Sequence, residues 1–453
     1  MTAERLTHLM IDGGLLGALL LIGVLLRSRI RLFQKILLPS SLIAGFVGLV
    51  LGPQAFGVIP TDSVATWGGI PGRLISVVFA CMFLGVRIPS LRRVWNEAGP
   101  QICYGFFAGM GQYFIALLLA VFVLVPFLGV PPIFASLLEI GFSGGHGTAS
   151  GMMEVFASLG FPDGADLGLM SATVGIFTSM VVGMILINLA VRRGYALLIE
   201  SPQYIPPDIL SGILSKEHRA PIGTSTVSAS TLDPLAFHAG FVGLAILIGW
   251  LLYLGITRVH PILKSFPLFP LAMIGGILVQ IAASALAIDS LFDRHSFERI
   301  GGVALDFLVV SAIASLNIQV VIKYAAPFTL LMLAGIAWMG LLTWYLAPRM
   351  FPDAWFERAI VEFGMQTGVT AMGLMLLRIV DPQFDTEAAP SFGFKQIVYE
   401  PLLGGGLITS LAPILIIQMG MWHSLFITGA VMAAFMLIAL VSKFFHRHPG
   451  PCR

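Results

Sequence analysis

Apolar runs at or near the length of a bilayer crossing recur along almost the whole chain. A helix needs about 20 residues to traverse the roughly 30 Å hydrocarbon layer. Candidate runs lie at residues 15–26, 37–59, 74–86, 99–125 and 167–191, then at 237–256, 268–288, 303–321, 328–346, 397–417 and 425–441. The third is short, and its helix is expected to begin near Trp67. Of the 453 residues 57% are hydrophobic and 11% charged, where a soluble domain is about one-quarter charged. The expected fold is an all-α polytopic membrane protein. The first run is followed rather than preceded by its basic cluster, with no small-residue cleavage site after it, and reads as a retained span.

Other classes fall away on the same grounds. The 25 basic and 23 acidic residues leave a net charge of +2 with no block of like charge, so no nucleic-acid partner is expected. Cys81, Cys103 and Cys452 lack metal-ligand spacing, and the first two lie in apolar runs where a small buried thiol is the default. The acids and histidines form no spaced nucleophile, metal or acid–base set, so no enzyme is expected.

Charge also orients the spans. With the N-terminus outside and two short apolar segments each entering and leaving on one face, 20 Lys and Arg fall inside and 5 outside. The inside set comprises Arg27 to Lys35, Arg87 to Arg93, Arg192 to Arg219, Arg294 and Arg299, Arg349 and Arg358, Arg378 and Lys395, and Lys443 to Arg453. Outside lie Arg5, Arg73, Arg258, Lys264 and Lys323. This follows the positive-inside rule and puts the C-terminus inside. Residues 192–235, with Pro206, Pro207, Pro221 and Pro234, read as a cytoplasmic linker.

The two short segments carry most of the information. Ile133 to Ser143 is interrupted by Gly144-Gly145-His146-Gly147-Thr148, and the chain returns over Ala149 to Leu159. Eleven helical residues rise only about 16 Å, so the tip is expected near the midplane. After Pro352-Asp353 a second run, Ala354 to Phe363, loosens over Gly364 to Gly368 and returns over Val369 to Leu377. A shift of 223 residues aligns Glu139, Gly141 and Gly145 with Glu362, Gly364 and Gly368, and a one-residue slip aligns Thr148 and Gly151 with Thr370 and Gly373. Pro39 and Gly45 match Pro270 and Gly276 at an offset of 231. Five spans per half, an odd number, make the repeats inverted. The expected organisation is a first repeat over 1–191 with hairpin 133–159, a linker over 192–235, a second repeat over 236–418 with hairpin 354–377, and an extra helix with a basic tail over 419–453.

Irregular backbone at mid-depth is tolerated only where it is buried in protein or lines a polar cavity. Each inbound half-helix aims its carbonyl end at the midplane, and each outbound one its N–H end. One tip can hold a cation beside a carboxylate, the recipe for a cation-coupled carrier of an anionic solute.

The stretch Ser143-Gly144-Gly145-His146-Gly147-Thr148-Ala149-Ser150-Gly151, followed by Ser171-Ala172-Thr173-Val174-Gly175, resembles the bacterial sodium–glutamate symporter family, and the likeness runs from the first span to about residue 418. The resemblance implies two inverted five-span domains with re-entrant loops, assembly as homodimers in the bacterial cytoplasmic (inner) membrane, and sodium-driven uptake of glutamate by an elevator-like motion. It puts the first tip on Ser143, Gly144, Gly145, His146, Gly147 and Thr148, and the second on Gly364 to Gly373. There the family is more glycine-rich, whereas this chain has Glu362, Gln366, Thr367 and Thr370. The eleventh span after Trp422-His423 is a second departure.

Expected substrate contacts are therefore the first tip with Gln366, Thr367, Gly368 and Thr370, and expected sodium ligands are Ser143, Thr173, Asn317, Glu362 and Gln366. For Glu139 and Glu362 two readings stand, an ion-site carboxylate or a buried partner of a nearby donor. His146 either contacts substrate or a proton, or ties neighbouring backbone. Ser171 and Ser311 stand with Thr173 and Asn317 as ion ligands or helix–helix ties. Glu400 reads as interfacial, and Trp250, Trp338, Trp344 and Trp422 as interfacial anchors. The function expected is sodium-coupled import of glutamate or a related small carboxylate. Alternatives are a carrier of another organic anion or amino acid, proton-coupled through Glu362 or His146, and, in another class, an ion channel.

Overall fold

A computed structural model describes residues 3–87, 89–198, 207–219, 221–259, 261–351 and 353–445. Pro206, Pro352, Arg447, Cys452 and Arg453 lie outside the described residues. In chain order the main helices are α1 (Ala3–Arg29), α2 (Ser40–Leu51), α3 (Pro71–Cys81), α4 (Leu91–Leu119), α5 (Leu137–Phe142), α6 (Gly145–Gly151) and α7 (Gly164–Arg192). They continue with α8 (Pro234–Val259), α9 (Phe269–Ala285), α10 (Arg294–Ala314), α11 (Ala325–Leu341), α12 (Trp355–Val380), α13 (Ala388–Tyr399) and α14 (Leu407–Val441). No strand occurs among the described residues. Eight helical stretches among them are long and apolar enough to cross a membrane. The fold is the multi-span all-α class expected from the sequence.

Several expected spans change on folding. Residues 37–59 do not form one crossing helix: α2 has 12 residues and stops at Gly52, before Pro53. The span expected at 303–321 ends at Ala314 and resumes as a short helix from Ile318 to Lys323. The span expected at 397–417 is broken. Helix α13 ends at Tyr399, and Pro401 with Gly404 (φ +69°) and Gly405 (φ +105°) keeps the chain irregular until α14 starts at Leu407. Gly420 (φ +80°) then divides α14, so the eleventh run follows the tenth almost without a loop. Helices α4 and α11 each run into a π-turn, at Ala120–Leu124 and Leu342–Leu346, just before Pro126 and Pro348. Proline removes an N–H and crowds the preceding carbonyls, and widening the turn relieves both.

The described chain forms two compact units, each drawing on both halves of the sequence. In the first, comprising residues 1–87, 150–154 and 206–318, α2 packs on α10 and α9 packs on α3. Small residues allow this closeness. A methyl at Gly45 would come within 2.5 Å of Ile313, and one at Gly276 within 2.5 Å of the Ala80 carbonyl. Arg294 donates from Nη1 to the carbonyls of Cys81 (3.0 Å), Met82 (2.8 Å) and Leu84 (3.0 Å), closing the C-terminal end of α3. The second unit, residues 88–149, 155–205 and 319–453, contains the second hairpin and the first hairpin apart from residues 150–154, and so holds both tips.

Candidate substrate and ion site

The inbound arm of the first hairpin is a 3₁₀ turn, Pro132–Ser136, continued by α5. It stops where the amides of Ser143 and Gly144 both bond the Glu139 carbonyl, at 3.1 and 3.0 Å. Gly145 then turns at φ +69°, a conformation that costs an L-residue about 1–2 kcal/mol, and α6 begins there.

The second hairpin breaks only at the far end of the stretch expected to loosen. Its inbound arm stays helical through Thr367, and the reversal is confined to Gly368 (φ −147°) and Val369 (φ +67°). The carbonyl-satisfying bonds explain the extra turn: Thr367 Oγ1 donates to the Phe363 carbonyl at 2.7 Å, and Ser179 Oγ on α7 donates to the Gly364 carbonyl at 3.2 Å. The arms then lie side by side, since a methyl at Gly364 would stand 2.6 Å from the Cα of Gly373. In a straight helix those positions would be about 13 Å apart. Gly175 on α7 gives room to the Thr367 carbonyl, which a methyl there would strike.

Within this unit the two tips touch: a methyl at Gly145 would collide with the Val369 side chain. A third irregular segment, residues 400–406, joins them. Gly404 N donates to Glu139 Oε1 at 3.0 Å, and a methyl at Gly404 would lie 3.4 Å from Ser143 Oγ and 3.3 Å from the end of Met365.

Fully buried polar side chains fill the space behind the tips. Glu139 accepts from Tyr113 OH (2.6 Å) and Thr409 Oγ1 (3.0 Å) besides Gly404. Tyr399 OH lies 3.4 Å from Ser143 Oγ and donates to Gln366 Oε1 at 3.1 Å, linking one residue of each hairpin. Gln112 Nε2 donates to the Gln366 carbonyl at 2.7 Å, and Gln366 Nε2 to the Gly105 carbonyl at 3.1 Å. Glu362 pairs with Lys395 Nζ at 3.1 Å and accepts from Gln101 at 2.9 Å, with both charged side chains at 0% exposure. Among the described residues the buried Thr148 Oγ1 and Gln112 Oε1 have no hydrogen-bond partner.

Ser143, Gly144, Gly145, His146, Gly147, Thr148, Gln366, Thr367, Gly368 and Thr370 all belong to this unit, as does Thr173. His146 Nε2 lies 3.0 Å from Thr173 Oγ1, whose single proton goes to the Leu169 carbonyl at 3.0 Å. This contact ties the tip to α7. Thr370 Oγ1 donates to Glu400 Oε1 at 2.6 Å and accepts from Gln396 Nε2 at 2.6 Å, so Glu400 is part of a side-chain network rather than an interfacial residue. Asn317 belongs to the first unit. Glu362, expected to ligate sodium, has a lysine ammonium as its cation. Lys395, expected in a cytoplasmic loop, is on α13 and buried. Trp338 donates its indole N–H to the Ala108 carbonyl at 3.1 Å, and its ring covers Gly111.

Gln101, Gln112, Tyr113, Lys395, Tyr399 and Thr409 were not singled out from the sequence as site residues. Gln101 and Gln112 did leave a signal. They are 11 residues apart in one apolar run, close to three full turns and hence on one face, and amides in a span face protein or water.

The family described as sodium/glutamate symporter matches this chain over residues 14–375. No curated protein and no solved structure matches it. The matched region takes in both hairpin tips and ends before Lys395, Tyr399 and the irregular segment that reaches Glu139. The chain belongs to the sodium/glutamate symporter family, and is thus a membrane transporter and not an enzyme.

Proposed function

We propose that the protein carries glutamate, or a closely related small carboxylate, across the bacterial cytoplasmic membrane together with sodium. The observation that supports this best is the meeting of two glycine-hinged hairpin tips, Gly145 against Val369, within a buried polar shell. Amides at the start of α6 and the partnerless Thr148 hydroxyl offer donors for a carboxylate. The oxygens of Ser143, Gln366 and Thr173 are hard ligands suited to sodium.

Inverted five-span repeats are supported by matched irregularities. The π-turns at Ala120–Leu124 and Leu342–Leu346 stand 222 residues apart, next to the 223-residue shift that aligns Glu139 with Glu362. Likewise α2 packs on α10 as α9 packs on α3, an exchange of partners between the halves. On this reading the hairpin-bearing unit carries the solute, the other unit serves as a dimerising scaffold, and transport is an elevator-like displacement of one against the other. Inside loops rich in Lys and Arg support an outside N-terminus and an inside C-terminus.

Purified protein reconstituted in vesicles tests the reading. An inward sodium gradient should drive labelled glutamate uptake, and the same salt gradient of choline should not. Absence of sodium-driven uptake for glutamate and for other small carboxylates overturns it, and uptake that follows a pH gradient alone establishes the proton-coupled alternative.

A further inference from the structure

Glu139 and Glu362 hold equivalent places on the inbound arms, yet their charges are met differently. The three bonds to Glu139 come from neutral donors: Tyr113, Gly404 and Thr409. Glu362 has a covalently supplied cation. The Lys395 ammonium sits 3.1 Å from Glu362 Oε2 and 2.8 Å from Gln396 Oε1, with Met365 Sδ at 3.7 Å. Its fourth side is the face of Tyr399, whose ring centroid is 3.8 Å away.

A carboxylate oxygen, an amide oxygen and a π face around one positive charge make the kind of shell an alkali cation takes when it is stripped of water. Room for the lysine is provided from the far side. Gly105 on α4 faces its Cε so closely that a methyl there would collide. The ammonium's donors are used within this shell, so it is not presented to a solute. Tyr399, on which it rests, reaches Ser143 of one hairpin and Gln366 of the other.

We propose that Lys395 is a tethered cation: its ammonium permanently fills the position at which Glu362 would otherwise hold a coupling ion, and so removes one ion from the transport cycle. The consequence for ion stoichiometry rests on the symport reading above, whereas the binding test below does not. A buried pair that serves packing alone predicts no ion binding when the lysine is removed.

The test measures thermal unfolding of the full-length protein in detergent against sodium chloride, with choline chloride holding ionic strength constant. Three proteins are compared: wild type, Lys395→Met, and the double variant Glu362→Gln with Lys395→Met. Methionine keeps the unbranched chain in the Gly105 notch without the charge. In K395M each tenfold rise in sodium should raise the unfolding midpoint by more than in wild type, because sodium now binds the folded state at Glu362. The double variant should return to the wild-type response.

K395M with the wild-type sodium response overturns the proposal. So does a double variant less responsive than wild type, since Glu362 would then have held an ion beside the lysine. Should K395M yield no folded protein in sodium or choline while the double variant folds, sodium does not fill the vacated position, and the proposal again falls. A wild-type protein indifferent to sodium beside a K395M protein that gains a response would leave this inference standing and count against the sodium-symport reading.

Discussion

Gly145, at the turn of the first hairpin, lies directly against the side chain of Val369, at the turn of the second. The two residues are the hinge positions of two separate broken helices, and both adopt positive φ, +69° and +67°. A glycine takes that conformation freely, whereas a valine holds it only because its surroundings insist. The contact brings the half-helix ends of the two hairpins together.

Gly145→Ala meets both obstacles at once, a left-handed backbone costing about 1–2 kcal/mol and a collision with Val369. Sodium-driven uptake in vesicles should fall at least tenfold while the protein remains monodisperse. Adding Val369→Ala removes the collision and not the backbone cost, so uptake should recover only in part. Full uptake by G145A would show that the tips do not need this contact.

The side-by-side arms of the second hairpin predict sensitivity at Gly373. A methyl there presses on the Val361 carbonyl and the Met365 backbone, atoms that do not step aside. Overpacking of this kind costs about 1–3 kcal/mol. Gly373→Ala should lower the unfolding midpoint by several degrees. Gly393→Ala on α13, where nothing lies within 4 Å, should leave it unchanged or raise it.

Tyr113→Phe withdraws the hydroxyl 2.6 Å from Glu139, and Thr409→Val withdraws the one at 3.0 Å. Each leaves a buried acceptor short of a donor, at a cost of about 1–3 kcal/mol. Both midpoints should fall in thermal unfolding. Because the two hydroxyls serve one carboxylate, the loss in the double variant should differ measurably from the sum of the single losses. Strict additivity would mean that they act on separate partners.

Asp293 caps α10, accepting from Ser296 N at 2.8 Å and Ser296 Oγ at 2.7 Å, and from Thr224 N at 3.2 Å in the linker. Burial pushes its carboxyl up, but these hydrogen bonds outweigh burial and hold it below the usual carboxylate range. A depressed folded-state value means that the stabilisation is complete above the ordinary value near pH ~4 and is lost as pH falls through the lower folded value. Asp293→Ala should cost about 1 kcal/mol at pH 7, as loss of a cap does. The gap between wild type and variant in thermal unfolding should close only below about pH 4. A gap that closes near neutrality would assign the effect to another group.

Much of the architecture was legible because the bilayer is an outside ruler. Runs near 20 residues announce crossings, and runs of 11 announce that something else happens. Glycine clusters marked both tips, although the second break lies only at the far end of the expected stretch, at Gly368–Val369, because Thr367 and Ser179 satisfy carbonyls that would otherwise have ended the helix. The failures share one cause. Residues 397–417 look like a crossing by hydropathy, and hydropathy does not register three successive glycines after a proline as a break. Lys395 falls between two expected spans, and hydropathy gives no sign that it is buried against Glu362.

By itself the amino-acid sequence determined the membrane setting, the helical class, the two short interrupted segments and the family likeness. All of these depend on local properties: hydropathy over a window, glycine content and motif. Which buried groups meet was decided only by tertiary structure. Gln101 reaches Glu362 across 261 residues, Thr409 reaches Glu139 across 270, and Tyr399 finds Ser143 across 256. In a low-dielectric interior every such group needs a partner, but no local rule names it, because the partner is supplied by whichever helix the packing brings alongside.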